Sequence, residues 1–219
     1  MSFIKQSRSL FKMNWYKKYK IAEEATLDFL KEIKEIGPSE DQYGFSMSMS
    51  EWEKRKDFTG NYGWSVPNEE AIESIKEFVG NELVLEVGSG LGMWAKLFKS
   101  EGIRITPTDL SLNLDKNHYV KKNKGFVDVE EIDGNEAIKK YGDHTVLMMS
   151  WPPYDDPFAY NVLKAFMGDK LIFVGEGHGG CTGDDDFFTL LWDEWDLTKD
   201  VDIPQWSGIH DGVTLYSRK

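Results

Sequence analysis

Hydrophobic positions along the 219-residue chain change period near residue 83. Before it, apolar residues recur at helical spacing. Trp15, Tyr19, Ala22, Phe29, Ile33 and Ile36 fall three, four or seven positions apart, which predicts an amphipathic helix ended by Gly37-Pro38. Ser50-Glu51-Trp52-Glu53 has the form of a capping box and predicts a short helix. Pro67-Asn68-Glu69-Glu70 predicts another, with Ile72, Ile75, Phe78 and Val79 on its inner face. Beyond residue 83 come short apolar runs: Leu83–Val87, Ile103–Pro107, Val127–Ile132, Thr145–Ser150, Lys170–Gly175, Trp195–Asp202 and Val213–Arg218. Helical stretches such as Met93–Glu101 and Tyr160–Met167 separate the early ones. This alternation predicts βαβ units, hence an α/β fold whose mainly parallel sheet is covered by helices on both faces. Only the turn-rich Gln205-Trp206-Ser207-Gly208 separates the last two runs, which predicts a closing antiparallel hairpin.

The most informative junction is Leu83-Val84-Leu85-Glu86-Val87-Gly88-Ser89-Gly90-Leu91-Gly92, a buried strand running through a glycine turn into a helix. Glycines there let the backbone turn sharply and approach a ligand at a helix N-terminus. The dinucleotide fingerprint G-x-G-x-x-G/A needs a small residue where this chain carries Met93. The spacing is instead E-x-G-x-G-x-G, which resembles motif I of class I S-adenosylmethionine (SAM)-dependent methyltransferases. The resemblance implies a Rossmann-like, seven-stranded sheet of order 3-2-1-4-5-7-6 over residues 62–219, with 1–61 a basic tail and helical extension. It implies SAM as cofactor, with an ammonium group that suits a carboxylate such as Glu86. Asp109 closes the second strand, 17 residues after Gly92, where an acid can accept ribose hydroxyls. Asp133-Gly134 ends the third, where the family commonly contacts the adenine amino group. The expected cofactor residues are Trp64, Glu86, Gly88, Ser89, Gly90, Gly92, Trp94, Asp109, Leu110, Asp133, Gly134, Ser150 and Trp151.

The fourth strand leads into Ser150-Trp151-Pro152-Pro153-Tyr154, which resembles motif IV of amino-methylating enzymes, Asn/Asp/Ser-Pro-Pro-aromatic. Here Trp151 directly precedes the prolines and Ser150 stands one place early, so transfer to an exocyclic amine does not follow from the motif. After the fifth strand, five glycines fall within the nine residues from Gly175 to Gly183. With Pro204–Gly212, this loop offers Glu176, His178, His210 and Asp211 as acid/base groups. The expected catalytic residues are His178, His210, Glu176 and Tyr154. The expected acceptor-binding residues are Trp151, Pro152, Pro153, Tyr154, Trp206 and Asp211. Glu176, His178, Cys181 and Asp184–Asp186 show no recognised metal-ligand spacing, so no metal is expected.

Composition narrows partners more than chemistry. The single cysteine excludes an intrachain disulfide framework. No apolar run is long enough to span a membrane, and residues 1–20 lack the apolar core of a secretory signal, which makes the cytoplasm the expected compartment. The net charge of −12 is segregated. Residues 1–20 carry Lys5, Arg8, Lys12, Lys17, Lys18 and Lys20 and no acid, a charge of +6 that leaves the remainder at −18. Nucleic acid contact is therefore expected only through this arm. The expected function is methyl transfer from SAM to an O or N nucleophile, with a small-molecule or sugar hydroxyl preferred. The alternatives are a non-catalytic SAM-binding scaffold and an N-methyltransferase acting on protein or nucleic acid. An NAD-dependent oxidoreductase is disfavoured by Met93. Oligomeric state and acceptor identity are not legible.

Overall fold

The computed structural model describes residues 28–38, 46–110 and 125–219. The basic arm and the first part of the expected N-terminal helix lie outside the described residues. Residues 28–36 are helical (α1), followed by α2 (Met49–Asn61), α3 (Glu69–Val79), β1 (Leu83–Val87), α4 (Met93–Ser100), β2 (Arg104–Asp109) and β3 (Glu130–Glu131). Then come α5 (Gly134–Lys140), β4 (Val146–Ser150), α6 (Phe158–Ala165), β5 (Lys170–Glu176), α7 (Asp185–Glu194), β6 (Trp195–Asp202) and β7 (Asp211–Arg218).

The strands form one sheet of order β3-β2-β1-β4-β5-β7-β6. The five strands β3, β2, β1, β4 and β5 run parallel, and β7 pairs antiparallel with both β5 and β6. This is the expected order, and the last two strands form the expected hairpin. Strand periodicity divides the apolar residues between two cores. Val84, Val146, Met148, Ile172 and Val174 face one core, with α3, α4 and Phe29, Leu30, Ile33 and Phe58. Leu85, Leu147, Met149, Leu171 and Phe173 face the other, with α5, α6 and α7. The segment before residue 62 is thus built into the first core: Ile33 is fully buried and Phe58 nearly so.

Four local expectations shift. The N-cap of α2 is Ser48, whose side chain accepts the Glu51 N–H, so the helix starts two residues earlier than Ser50 implies and runs for 13 residues. Strand β3 contracts to two residues, because the sheet edge pairs only Thr108 and Asp109 with it. Helix α5 forms behind the cap that Asp133 supplies to Asn135 and Glu136 N–H. Helix α7 takes up part of the acidic stretch: Asp184 caps it through the Phe187 N–H, and Asp185 and Asp186 occupy its first turn, where carboxylates favour the helix dipole. No described helix is long and apolar enough to cross a membrane.

Candidate functional site

The carboxyl ends of β1, β2, β3 and β4 open onto a cleft of about 380 Å³. Its floor is the turn after β1. Gly88, Gly90 and Gly92 have φ of 79°, 54° and 74°, the left-handed region. A Cβ on Gly92 would meet Val127 at 2.6 Å, so that position has neither the backbone conformation nor the room for a side chain. Four of the turn's N–H groups are bonded internally. Gly88 and Ser89 both donate to the Thr108 carbonyl, Gly92 donates to the Ser89 carbonyl, and Gly90 donates to Asp109 Oδ2 at 2.8 Å. These bonds hold the turn in shape.

Three acids line the cleft at three successive strand ends: Glu86, Asp109 and Asp133. Glu86 is buried and its Oε2 has no hydrogen-bond partner. Burial, reinforced by the nearby charge of Asp109 and weakly opposed by Lys99, pushes its pKa up to about 8. Ser89 Oγ is also buried without a partner. Asp133 uses only Oδ1 in capping α5. Gly134, the next residue, packs so closely that a Cβ would lie 2.9–3.1 Å from Val162, Val87 and Phe158. Leu110 lines the same end and is exposed, whereas Gly92 lies beneath the turn and is not part of the lining.

At the β4 end the wall is Ser150, Trp151, Pro152, Pro153, Phe158 and Trp64. Trp94 also lines the cleft, although it is buried and its Nε1 donates to Ser65 Oγ at 3.0 Å. Trp64 and Trp151 stack, and Arg55 of α2 packs on both rings. Trp151 Nε1 donates to Asp211 Oδ2 at 3.1 Å. Asp211 is buried, its Oδ1 is unpartnered, and its pKa is raised to about 6 by burial, which outweighs the Trp151 hydrogen bond. Burial lowers the Arg55 pKa against the pull of Asp211, Glu176 and Cys181.

The remaining expected catalytic and acceptor residues lie elsewhere. Trp151 and Asp155 both take left-handed φ of 51°, and Tyr154 between them is exposed and bridges to Gly183. Glu176 is buried with both oxygens engaged, Oε1 by the His210 N–H and Oε2 by the Cys181 N–H, each at 2.8 Å. It ties two loops together and does not face the cleft. His178 is exposed, pairs with Asp185 at 3.2 Å and packs against Phe188 and Trp192 on α7. His210 is exposed, and its side chain is not part of the lining. Trp206 is buried against Phe58 on the α2 side. Among the described residues no group of three His, Cys, Asp or Glu side chains is placed to hold a metal ion. Conversely, Arg55 and the lining residues Thr59, Tyr62 and Phe158 were not singled out by the sequence reading.

No family model matches the chain, and no curated protein matches it in sequence. Solved structures do resemble it. A 1,6-didemethyltoxoflavin-N1-methyltransferase from Burkholderia thailandensis, with bound 1,6-didemethyltoxoflavin and S-adenosylhomocysteine, superposes with a TM-score of 0.50 at 15% identity, over 83% of this chain and 94% of that one. A magnesium protoporphyrin IX methyltransferase from Synechocystis PCC 6803 with bound SAM gives 0.46 at 11% identity, over 80% and 100% of the two chains. MtNAS in complex with SAM gives 0.47 at 14% identity, over 93% and 75%. The first of these likenesses, at 15% identity, concerns the fold alone, and with the observed strand order that fold is the class I methyltransferase fold.

Proposed function

We propose that this chain is a SAM-dependent methyltransferase acting on an O or N nucleophile of a small-molecule acceptor. The observation that carries the reading is Glu86: a buried carboxyl with an unpartnered oxygen, lining a cleft whose other strand ends supply Asp109 and Asp133. A buried polar atom left without a partner is uncommon, and one that lines a cleft is placed to meet a ligand. Three acids around the glycine turn suit a cation with sugar hydroxyls and an amine-bearing base. They disfavour a dinucleotide, whose pyrophosphate would meet like charge.

When bound, SAM supplies an electrophilic methyl group that passes in line to the acceptor's lone pair, while the sulfur keeps the electrons of the broken bond. Glu86 would hold the ammonium of the methionine part and give up its own proton on doing so. Asp109, already oriented by the Gly90 N–H, would take ribose hydroxyls. Asp133, Gly134 and Leu110 would border the adenine, and Trp64, Ser150 and Trp151 would bound the methyl end beside the acceptor. Catalysis then rests mainly on holding two partners in one orientation, an effect able to supply several kcal/mol. The acidic body leaves residues 1–20 as the place for any contact with nucleic acid.

Calorimetric titration with SAM and with NADH tests the reading. SAM is expected to bind saturably and, at about a hundred times its Kd, to raise Tm by roughly 5–10 °C. NADH is expected to produce neither heat nor shift. The reading fails if millimolar SAM gives neither signal.

A further inference from the structure

In the SAM reading the acceptor lies against the β4 end of the cleft, where Trp64, Trp151 and Phe158 supply half of the wall residues. Trp64 and Trp151 stack with centroids 5.6 Å apart and planes 26° from parallel. Of the polar side chains lining the cleft, Glu86, Ser89, Asp109 and Asp133 belong to the glycine turn or the ends of β1–β3. Thr59, Tyr62, Ser150 and the Trp64 indole remain, and the Tyr62 hydroxyl donates to Glu32 at 2.8 Å. The Trp151 N–H is turned to Asp211, so this indole contributes ring surface rather than a donor.

Behind the wall sits a charge. The Arg55 guanidinium carbon lies 5.3 Å from the Trp64 centroid and 5.6 Å from that of Trp151, and the residue is only 8% exposed. Neither Arg55 nor Asp211 lines the cleft. A guanidinium already against both π systems uses the ring quadrupoles that a second cation would need. A sugar is disfavoured for a different reason: its hydroxyls leave water only where partners replace it, and few are offered here. Resting on the SAM reading, we infer that the acceptor is an uncharged, planar aromatic or heteroaromatic ring bearing the nucleophile, seated on the Trp64–Trp151 wall. Arg55 is the positioning residue that braces this wall and occupies the place a cation would take on its rings. Of the small-molecule or sugar hydroxyl expected from the sequence, this inference keeps the first and sets aside the second.

The test uses the full chain saturated with S-adenosylhomocysteine and titrated with three probes: quinolin-6-ol, methyl β-glucoside and Nα-acetyl-lysine methylamide. Quinolin-6-ol is expected to bind at least about tenfold more tightly than the other two. In Trp64→Leu its affinity falls by about tenfold, while that for S-adenosylhomocysteine stays within about threefold. In Arg55→Met the lysine probe gains about fivefold, a change that a merely structural role would not produce. Equal or tighter binding of the glucoside or lysine probe to the parent chain would overturn the inference, as would unchanged discrimination in Arg55→Met. Failure of S-adenosylhomocysteine itself to bind overturns the cofactor reading, and that is visible before any probe is added. Failure of the ring probe on the loaded protein overturns the acceptor inference alone.

Discussion

Glu86→Gln is expected to weaken binding of S-adenosylhomocysteine by roughly 10- to 100-fold at pH 8.5, the value of one charge-assisted hydrogen bond. The same change should make the ligand-free protein more stable in alkali. The native Glu86 pKa is raised from 4.5 to about 8. A carboxyl that binds its proton more tightly when folded contributes stability that is complete below the unfolded pKa and is lost as pH rises through the folded one. The parent should therefore lose ground between about pH 5 and pH 8, and Gln, which has no proton to lose, should not. At pH 9 the difference is expected to reach roughly 3–5 kcal/mol in urea denaturation, and to vanish near pH 4. A variant that binds as well as the parent would show that this carboxyl is no ligand.

Phe58→Ala is expected to cost about 3–5 kcal/mol and to lower Tm by roughly 10 °C. Phe58 is 2% exposed, stacks on Tyr62 at 5.2 Å and meets Trp206 edge-on at 5.9 Å. The substitution would open a cavity between α2 and the sheet face, directly below Thr59 and Tyr62 of the cleft lining. Urea denaturation measures the loss. A cost under about 1 kcal/mol would mean that α2 only rests on the domain, as surface substitutions do.

The contrast between these two residues shows what hydropathy makes legible. The strands were readable because each alternates between two apolar cores, and sheet order followed from that alternation together with a closing hairpin. The acids at the ends of β1 and β2 were readable because chain position fixes them at the carboxyl edge. Helix α2 was less so. Its buried positions include Glu51, Arg55 and Phe58, a helical stripe in which two of three members are charged. Its satisfaction is tertiary: Glu51 accepts the Ser207 N–H at 2.8 Å, and Arg55 lies on two indoles. No local pattern encodes contacts with residues so distant in sequence.

The histidines illustrate the opposite difficulty. His178 and His210 follow glycine-rich turns at the correct edge of the sheet, yet a loop's own geometry decides which way its side chains face. Glu176 ties both loops through their backbone, and α7 draws His178 onto Phe188 and Trp192. Tyr154 is exposed between two left-handed residues, Trp151 and Asp155, a conformation that sequence does not announce for a non-glycine residue.

The central claim is that Glu86 exchanges its proton for a ligand's ammonium group, and a proton count tests it most directly. S-adenosylhomocysteine is titrated at pH 7 in phosphate and in Tris, whose ionisation enthalpies differ. Close to one proton should be released per ligand bound, and affinity should rise with pH until about pH 8 and then level off. Binding with no proton released at pH 7, or with the same release from Glu86→Gln, would contradict the account.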